Sequence, residues 1–147
     1  MATMDTDEQR ECFFCASLRH PNEHTLVHKS DGFGVLMDLY PINKGHLLVF
    51  PTAHIPDIFI ADARLYSAML AFSQRLACAM RRIYCVEKVA MFTSGKATSD
   101  HAHIHVLPLR YGLKKTFENL SSMSRAPARQ QELRQEGVSI IEEALRL

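Results

Sequence analysis

The chain has 147 residues, 47% of them apolar, and its 17 Lys and Arg residues nearly balance its 16 Asp and Glu residues. This length predicts one domain with a full hydrophobic core. The net charge of +1, without any basic run, disfavours extended nucleic acid and anionic membrane surfaces as partners.

Targeting and membrane segments are not expected. The longest apolar run, at residues 47–50, is far shorter than the roughly 20 residues that span a bilayer. Residues 1–10 are polar and acidic, so we predict a flexible leader there rather than a signal or transit peptide. We expect a protein of the reducing environment of the cytoplasm or the nucleus. The unusual feature of the composition is 8 His residues.

Alternating apolar residues and turn signals predict an antiparallel meander in the first half of the chain. Residues 25–29 and 33–39 are predicted strands, because Ser-Asp-Gly at 30–32 is typical of a tight turn. A third predicted strand, at 46–50, lies between Gly45 and Pro51.

A change of period to three and four residues predicts a long helix over residues 62–84 with Asp62 as its N-cap. Cys78 and Cys85 on this helix are expected to be buried or half-buried thiols. The predicted apolar stripe consists of Leu65, Met69, Phe72, Leu76, Met80 and Ile83.

The second half predicts two more strands, at 89–93 and 101–107, with Pro108 ending the second. A final helix is predicted over 128–147, although Gly137 weakens it by about 1 kcal/mol relative to Ala. Strands, one long helix and further strands indicate an α+β fold with the helix on one face of the sheet.

Three histidines alternate along the last predicted strand. Because side chains on a strand alternate between faces, His101, His103 and His105 lie on one side while the residues between them point into the core. Imidazoles can attack phosphorus, donate to phosphate oxygens or bind metal. The alternative is a solvated strand face that happens to be rich in histidine.

Three sequence blocks carry a family resemblance. HAHIHVL at 101–107 resembles the His-φ-His-φ-His-φ-φ signature of the histidine triad (HIT) family of nucleotide hydrolases and transferases. DLYPINKGHLLVFP at 38–51, followed by His54, is similar to a second block of that family, and Cys-Phe-Phe-Cys at 12–15 resembles the start of its zinc-containing branch. The resemblance covers about residues 11–109.

The resemblance implies the HIT α+β fold, an antiparallel five-stranded sheet with one long helix packed on it. Residues 11–112 would form this domain. Residues 113–147 would form a C-terminal extension, partly helical and packed on the same domain. Family members usually dimerise through the long helix and an adjoining strand, so a homodimer is implied.

By the same resemblance, His103 would attack the α-phosphorus of a nucleoside phosphate, forming a nucleotidyl-histidine intermediate that water resolves. His105 and His46 would contact the transferred phosphate and assist the leaving group. Family members with Gln at the third position of the triad favour transfer, so His105 favours hydrolysis. Asp38 would bind the ribose hydroxyls of the nucleotide. We expect the base of the nucleotide to be a purine. It would lie between the side chains of Phe13, Phe14, Leu36 and Leu39.

One position departs from the family pattern. Many members have Gln four residues before the first triad histidine, where this chain has Ala97. Lys96, Thr98 or Ser99 could replace its phosphate contact, and we assign Thr98 to nucleotide binding.

Simpler interpretations exist for several of these residues. Asp38 could cap the turn before Pro41, the apolar residues could be ordinary core, and His46 could be structural. The histidines without a partner pattern are expected on the surface, namely His20, His24 and His28.

The Cys12–Cys15 pair begins either a metal site or a redox motif. A redox Cys-x-x-Cys belongs at the start of a helix that follows a strand, and only a short polar leader precedes Cys12, so structural Zn2+ is favoured over reduced free thiols. The remaining two ligands implied by the resemblance are His54 and His101.

The predicted activity is cleavage at the α-phosphorus of a nucleoside phosphoramidate or a dinucleoside polyphosphate. An adenylated nucleic-acid end is disfavoured by the neutral charge. A second hypothesis is a nucleotide-binding regulatory module with little turnover, and a third is a structural module in which the histidines only bind zinc.

Overall fold

The computed structural model describes residues 12–93, 101–112, 114–116, 118 and 128–147. The main elements are α1 (Phe13–Arg19), β1 (Leu26–Lys29), β2 (Phe33–Met37), β3 (Leu47–Pro51), α2 (Ala63–Tyr84), β4 (Lys88–Phe92), β5 (Ile104–Leu109) and α3 (Gln130–Leu145). The five strands form one antiparallel sheet in the order β1-β2-β3-β5-β4. This confirms the predicted α+β class and five-stranded sheet.

The sheet separates two apolar clusters because successive side chains of its strands point to opposite faces. The larger cluster, which includes Val35, Val49 and Val106, lies under α2 and α3. The smaller cluster lies on the other face and consists of Phe14, Leu36, Leu48 and Phe50. His105 pairs with Leu48 across β3 and β5, so the imidazole face of the sheet is the face away from the long helix.

The long helix α2 agrees closely with its prediction. The Asp62 carboxylate accepts hydrogen bonds from the backbone N–H groups of Arg64 and Leu65, which makes it the N-cap. Ile83 departs from the predicted stripe, since its side chain is exposed. The prediction for Cys78 and Cys85 was wrong, because both thiols are exposed.

The C-terminal helix α3 packs on α2 and on the first two strands. Its core residues include Leu133, Ile140 and Ala144. A Cβ at Gly137 would lie 2.5 Å from Cγ1 of Val27 and 3.0 Å from Cγ of Met37. The glycine that weakens the helix locally is therefore what lets α3 approach the sheet.

The sequence missed one element and misplaced the bounds of another. Helix α1 forms at Phe13–Arg19, where no element was predicted. The last strand begins at Ile104 rather than His101 and continues through Pro108, because Pro108 lies beyond the β3 pairing, which reaches only to Val106. Within the described residues, no helix is long and apolar enough to cross a membrane.

Candidate functional site

Helix α1 brings two thiols to the imidazole face of the sheet. Cys12 is its N-cap, and its Sγ accepts a hydrogen bond from the backbone N–H of Cys15 at 3.5 Å. The ligand atoms of these cysteines, of His54 in the β3–α2 loop and of His101 before β5 all lie within 4.8 Å of one another. The structure thus brings together the four residues that the sequence assigned to a metal.

The distances within this cluster fit one tetrahedral ion. Nδ1 of His101 lies 3.3 Å from Sγ of Cys12, 3.7 Å from Sγ of Cys15 and 3.3 Å from Nδ1 of His54. Sγ of Cys15 lies 3.3 Å from Nδ1 of His54. Zinc bound to sulfur at about 2.3 Å and to nitrogen at about 2.0–2.1 Å requires ligand–ligand edges of roughly 3.3–3.8 Å. Two thiols and two imidazoles are also a donor set that zinc prefers.

His101 is oriented for metal binding by its second ring nitrogen. Nε2 donates to the carbonyl of Pro51 at 2.8 Å, so the neutral ring carries its lone pair on Nδ1, inside the cluster. Burial lowers the pKa of His101 to about 4, against the opposing effect of the bond to Pro51. The ring is therefore neutral near pH 7, as a ligand must be.

His103 is held in the tautomer that carries its lone pair on the outer nitrogen, Nε2. Its Nδ1 donates to the backbone carbonyl of His101 at 2.8 Å, so Nε2 of the neutral ring is unprotonated. The ring of Phe14 stacks on both His101 and His103, with centroids 5.0 Å apart in each pair. A neutral imidazole with a fixed lone pair is an activated nucleophile.

His46 and His105 continue the row of imidazoles. The backbone N–H of Ile42 donates to Nδ1 of His46 at 3.1 Å, so the neutral ring of His46 carries its proton on Nε2, which lies 2.8 Å from Nδ1 of His105. Nε2 of His105 then donates to Nε2 of His103 at 3.1 Å. Each contact has one donor and one acceptor, and the row presents a proton directly beside the nucleophilic nitrogen.

Asp38 makes the turn contact and also lies beside the row. Its Oδ1 accepts a hydrogen bond from the backbone N–H of Tyr40 at 2.9 Å, as the simpler interpretation predicts. Its Oδ2 lies 3.5 Å from Nδ1 of His46. The carboxylate therefore stabilises positive charge on the His46–His105 pair. Binding of ribose by Asp38 stays a prediction.

The residues assigned to the base lie in different surroundings. Leu36 has no exposed surface and Phe14 is buried, both in the smaller cluster. Phe13 is exposed and contacts Phe14 edge-on, whereas Leu39 is half-buried against the larger cluster. The base pocket stays a prediction. Thr98 and its neighbours at 94–100 lie outside the described residues.

Sequence reasoning missed two residues at the site. The ring of Phe92 stacks on His105 with centroids 4.4 Å apart and planes at 10°, and Oγ1 of Thr93 donates to the carbonyl of His103 at 2.6 Å. Phe92 pairs with His105 across β4 and β5. Aligning the two predicted strands as a hairpin was the available signal for Phe92, and no sequence signal marked Thr93.

The other histidines differ from their prediction in part. His20 is exposed, but His24 and His28 are half-buried. The His28 ring stacks on Phe72 at 4.8 Å, and burial lowers its pKa, with a smaller contribution from Arg75. None of the three lies in either cluster of metal-ligating side chains among the described residues.

Comparison with known proteins adds family relationships. The HIT domain family model matches residues 19–112. An uncharacterized HIT-like protein of Mycobacterium tuberculosis is 30% identical over 123 residues, which cover 81% of this chain and 85% of that protein. A bifunctional adenosine 5'-phosphosulfate phosphorylase/adenylylsulfatase of Arabidopsis thaliana is 27% identical over 105 residues, covering 68% of this chain and 71% of that protein.

Solved structures share the fold. A zinc-bound histidine triad family protein from Mycobacterium smegmatis superposes with a TM-score of 0.72 at 24% identity, covering 94% of this chain and 96% of that one. At this identity the likeness concerns the fold alone.

Proposed function

The chain belongs to the histidine triad (HIT) family of nucleotide-binding hydrolases and transferases, and we propose that it hydrolyses a nucleoside phosphoramidate or a dinucleoside polyphosphate through a nucleotidyl intermediate on His103. The observation that carries the proposal is the fixed tautomer of His103, whose Nδ1 donates to the His101 carbonyl and leaves Nε2 as the nucleophile. The adenylyl group in the name of the Arabidopsis relative supports an adenosine nucleotide as substrate.

The reaction proceeds in two displacements. Nε2 of His103 attacks the α-phosphorus, the bond to the leaving group breaks, and the leaving group takes the proton from Nε2 of His105. His46 donates a hydrogen bond to Nδ1 of His105 and so orients the Nε2 proton of His105 toward the leaving group. The water of the second displacement returns a proton to Nε2 of His105. Positive charge that develops on His103 is stabilised by the carbonyl that accepts its Nδ1 proton. Water then attacks the phosphorus and releases the nucleoside monophosphate.

Cys12, Cys15, His54 and His101 would hold zinc in this proposal. Zinc bound there would be structural: it would hold α1, the β3–α2 loop and the segment before β5 in fixed positions and would take no part in the reaction. Zinc binding would also help to orient His103, because His101 would be a zinc ligand and its backbone carbonyl accepts the Nδ1 proton of His103.

A second copy of the chain is part of the proposal. The edge strand β4 and helix α2 border a groove of about 1130 Å³ whose lining includes Leu70, Ala77 and Met91. Among the described residues β4 is the last strand of the sheet. A strand at the sheet edge beside an apolar groove favours association, and sedimentation equilibrium of the full chain tests a homodimer.

The test of the activity is release of AMP from a panel of adenosine phosphoramidates and diadenosine polyphosphates. We expect His103→Ala to lower kcat at least about a thousandfold, because it removes the nucleophile, and His20→Ala, at an exposed histidine, to match the wild type. If the wild type binds AMP yet releases no product from the panel, the regulatory binding module is the better description.

A further inference from the structure

A tyrosine and a glutamate join the two long helices behind the loop that carries His46. Tyr84 is the last residue of α2, and its hydroxyl donates to the carboxylate of Glu136 on α3. Burial raises the pKa of the Tyr84 hydroxyl, and the bond to Glu136 raises it further. The hydroxyl therefore remains a donor throughout the working pH range.

The ring of Tyr84 lies directly against the residue that precedes His46. Gly45 has a φ of +92°, and a Cβ placed there would lie 2.6 Å from Cε2 and 2.8 Å from the hydroxyl oxygen of Tyr84. Gly45 is thus required both for its backbone conformation and for this close approach. The Tyr84 ring therefore packs directly against the loop at Gly45.

The loop in turn determines the tautomer of His46. The backbone N–H of Asp38 donates to the His46 carbonyl at 2.9 Å, and the N–H of His46 donates to the carbonyl of Asn43 at 3.2 Å. These bonds hold the N–H of Ile42 against Nδ1 of His46. If the loop moves, Nδ1 loses its donor and the proton is no longer confined to Nε2.

A cleft borders the loop on the side of α3. It has a volume of about 320 Å³ and is lined by residues that include Ile42, Gly45, Leu133 and Glu136. On other sides the loop is held by hydrogen bonds from the Asn43 amide to the Pro108 carbonyl and from the Ala128 N–H to the Leu39 carbonyl, both at 2.9 Å. The Tyr84–Glu136 pair lies beside the cleft and supports the loop at Gly45, the residue next to His46.

We propose that Tyr84 and Glu136 are positioning residues, which hold the loop so that His46 presents its proton to His105. This inference rests on the proposed function and extends it to α3, which lies outside the residues 19–112 that match the family. Neither side chain touches the imidazole row, so both act through Gly45 and the loop.

The experiment compares Tyr84→Phe, Glu136→Leu and the double variant in the full chain. We expect each to lower kcat for AMP release about tenfold, because a hydrogen bond to a charged group is lost, while KM stays within about twofold. The double variant should match the single variants, since the two residues act as one unit. Tyr66→Phe and Glu142→Gln, on the exposed surfaces of the same helices, are the matched controls.

A second measurement separates positioning from a loss of stability. In the wild type, ring 15N shifts of His46 should report one tautomer, with the proton on Nε2, whereas in Tyr84→Phe they should move toward an average of two. Wild-type kcat together with an unchanged His46 tautomer in Tyr84→Phe would overturn the proposal. A wild-type protein that releases no AMP would refute the proposed function instead, and the ring shifts would still decide the positioning role.

Discussion

At the scale of single residues, the role of each imidazole is set by the partner of its second nitrogen. The Pro51 carbonyl turns Nδ1 of His101 toward the thiols, and the His101 carbonyl leaves Nε2 of His103 unprotonated. The two rings belong to the same residue type and lie two positions apart. They differ in which nitrogen carries the lone pair, because the fold supplies an acceptor at Nε2 of His101 and at Nδ1 of His103.

The buried His101 predicts a pH dependence of stability in the metal-free protein. Its pKa is about 4 in the folded chain and about 6.5 when unfolded. Between these values the unfolded chain binds the extra proton, so the free energy of unfolding falls as the pH falls. For the chelated protein we expect a loss of about 2 kcal/mol between pH 7 and pH 5 from this group, measured by urea denaturation.

The control for this prediction is His101→Asn, which lacks the titrating ring and keeps the backbone carbonyl that His103 requires. His24 and His28, whose pKa values are also lowered by burial, titrate in both proteins and cancel. An equal slope of stability against pH in the two proteins would contradict the assignment to His101.

At the scale of elements, close contacts between helices and strands override local propensity. The start of α1 places Cys12 at a helix N-cap, which the polar leader did not predict. In α3, Gly137 is unfavourable for an isolated helix but fits the narrow space above Val27 and Met37. Helix α3 therefore owes its position to packing rather than to its own stability.

Gly137→Ala tests this balance. Ala is better than Gly by about 1 kcal/mol in a free helix, yet its methyl group would lie within 3.0 Å of two side chains here. We expect a net destabilisation of about 1–3 kcal/mol, measured by chemical denaturation. Gly112→Ala, where a Cβ meets nothing within 4 Å, should stay within about 0.5 kcal/mol of the wild type. A more stable Gly137→Ala protein would show that α3 has room to shift.

At the scale of the whole molecule, the metal cluster joins segments that are far apart in the chain. Cys12 and His101 are 89 residues apart, and the backbone N–H of Ala102 donates to the carbonyl of Ile55 at 2.7 Å beside them. A bound ion would therefore hold α1, the β3–α2 loop and the segment at residues 101–103 before β5 as one unit.

We predict one zinc ion per chain in the purified protein, measured by elemental analysis. Chelation should lower the free energy of unfolding by at least about 3 kcal/mol, because an ion that binds only the folded chain stabilises it by mass action. Cys12→Ala should contain almost no zinc, whereas Cys78→Ala, at an exposed thiol outside the cluster, should retain it. A zinc content near zero in the wild type would exclude the metal centre.

Much of the fold and many site positions could be predicted because they depend on local patterns. The alternation of apolar residues located the strands, the Asp62 cap located the start of α2, and the spacing of HAHIHVL placed three imidazoles close together. Strand ends were less accurate. Pro108 continues β5 because no β3 partner lies opposite it, which is a property of the sheet and not of the segment.

The sequence by itself determined the family, the sheet with its long helix, and which histidines and cysteines are available for chemistry, because periodicity and motif spacing are local properties of the chain. Only the tertiary structure decided which nitrogen of each ring carries a proton, that Phe92 lies on His105, and that Tyr84 lies behind Gly45. Each of these depends on a partner from another element, and such partners meet only when the whole chain is packed.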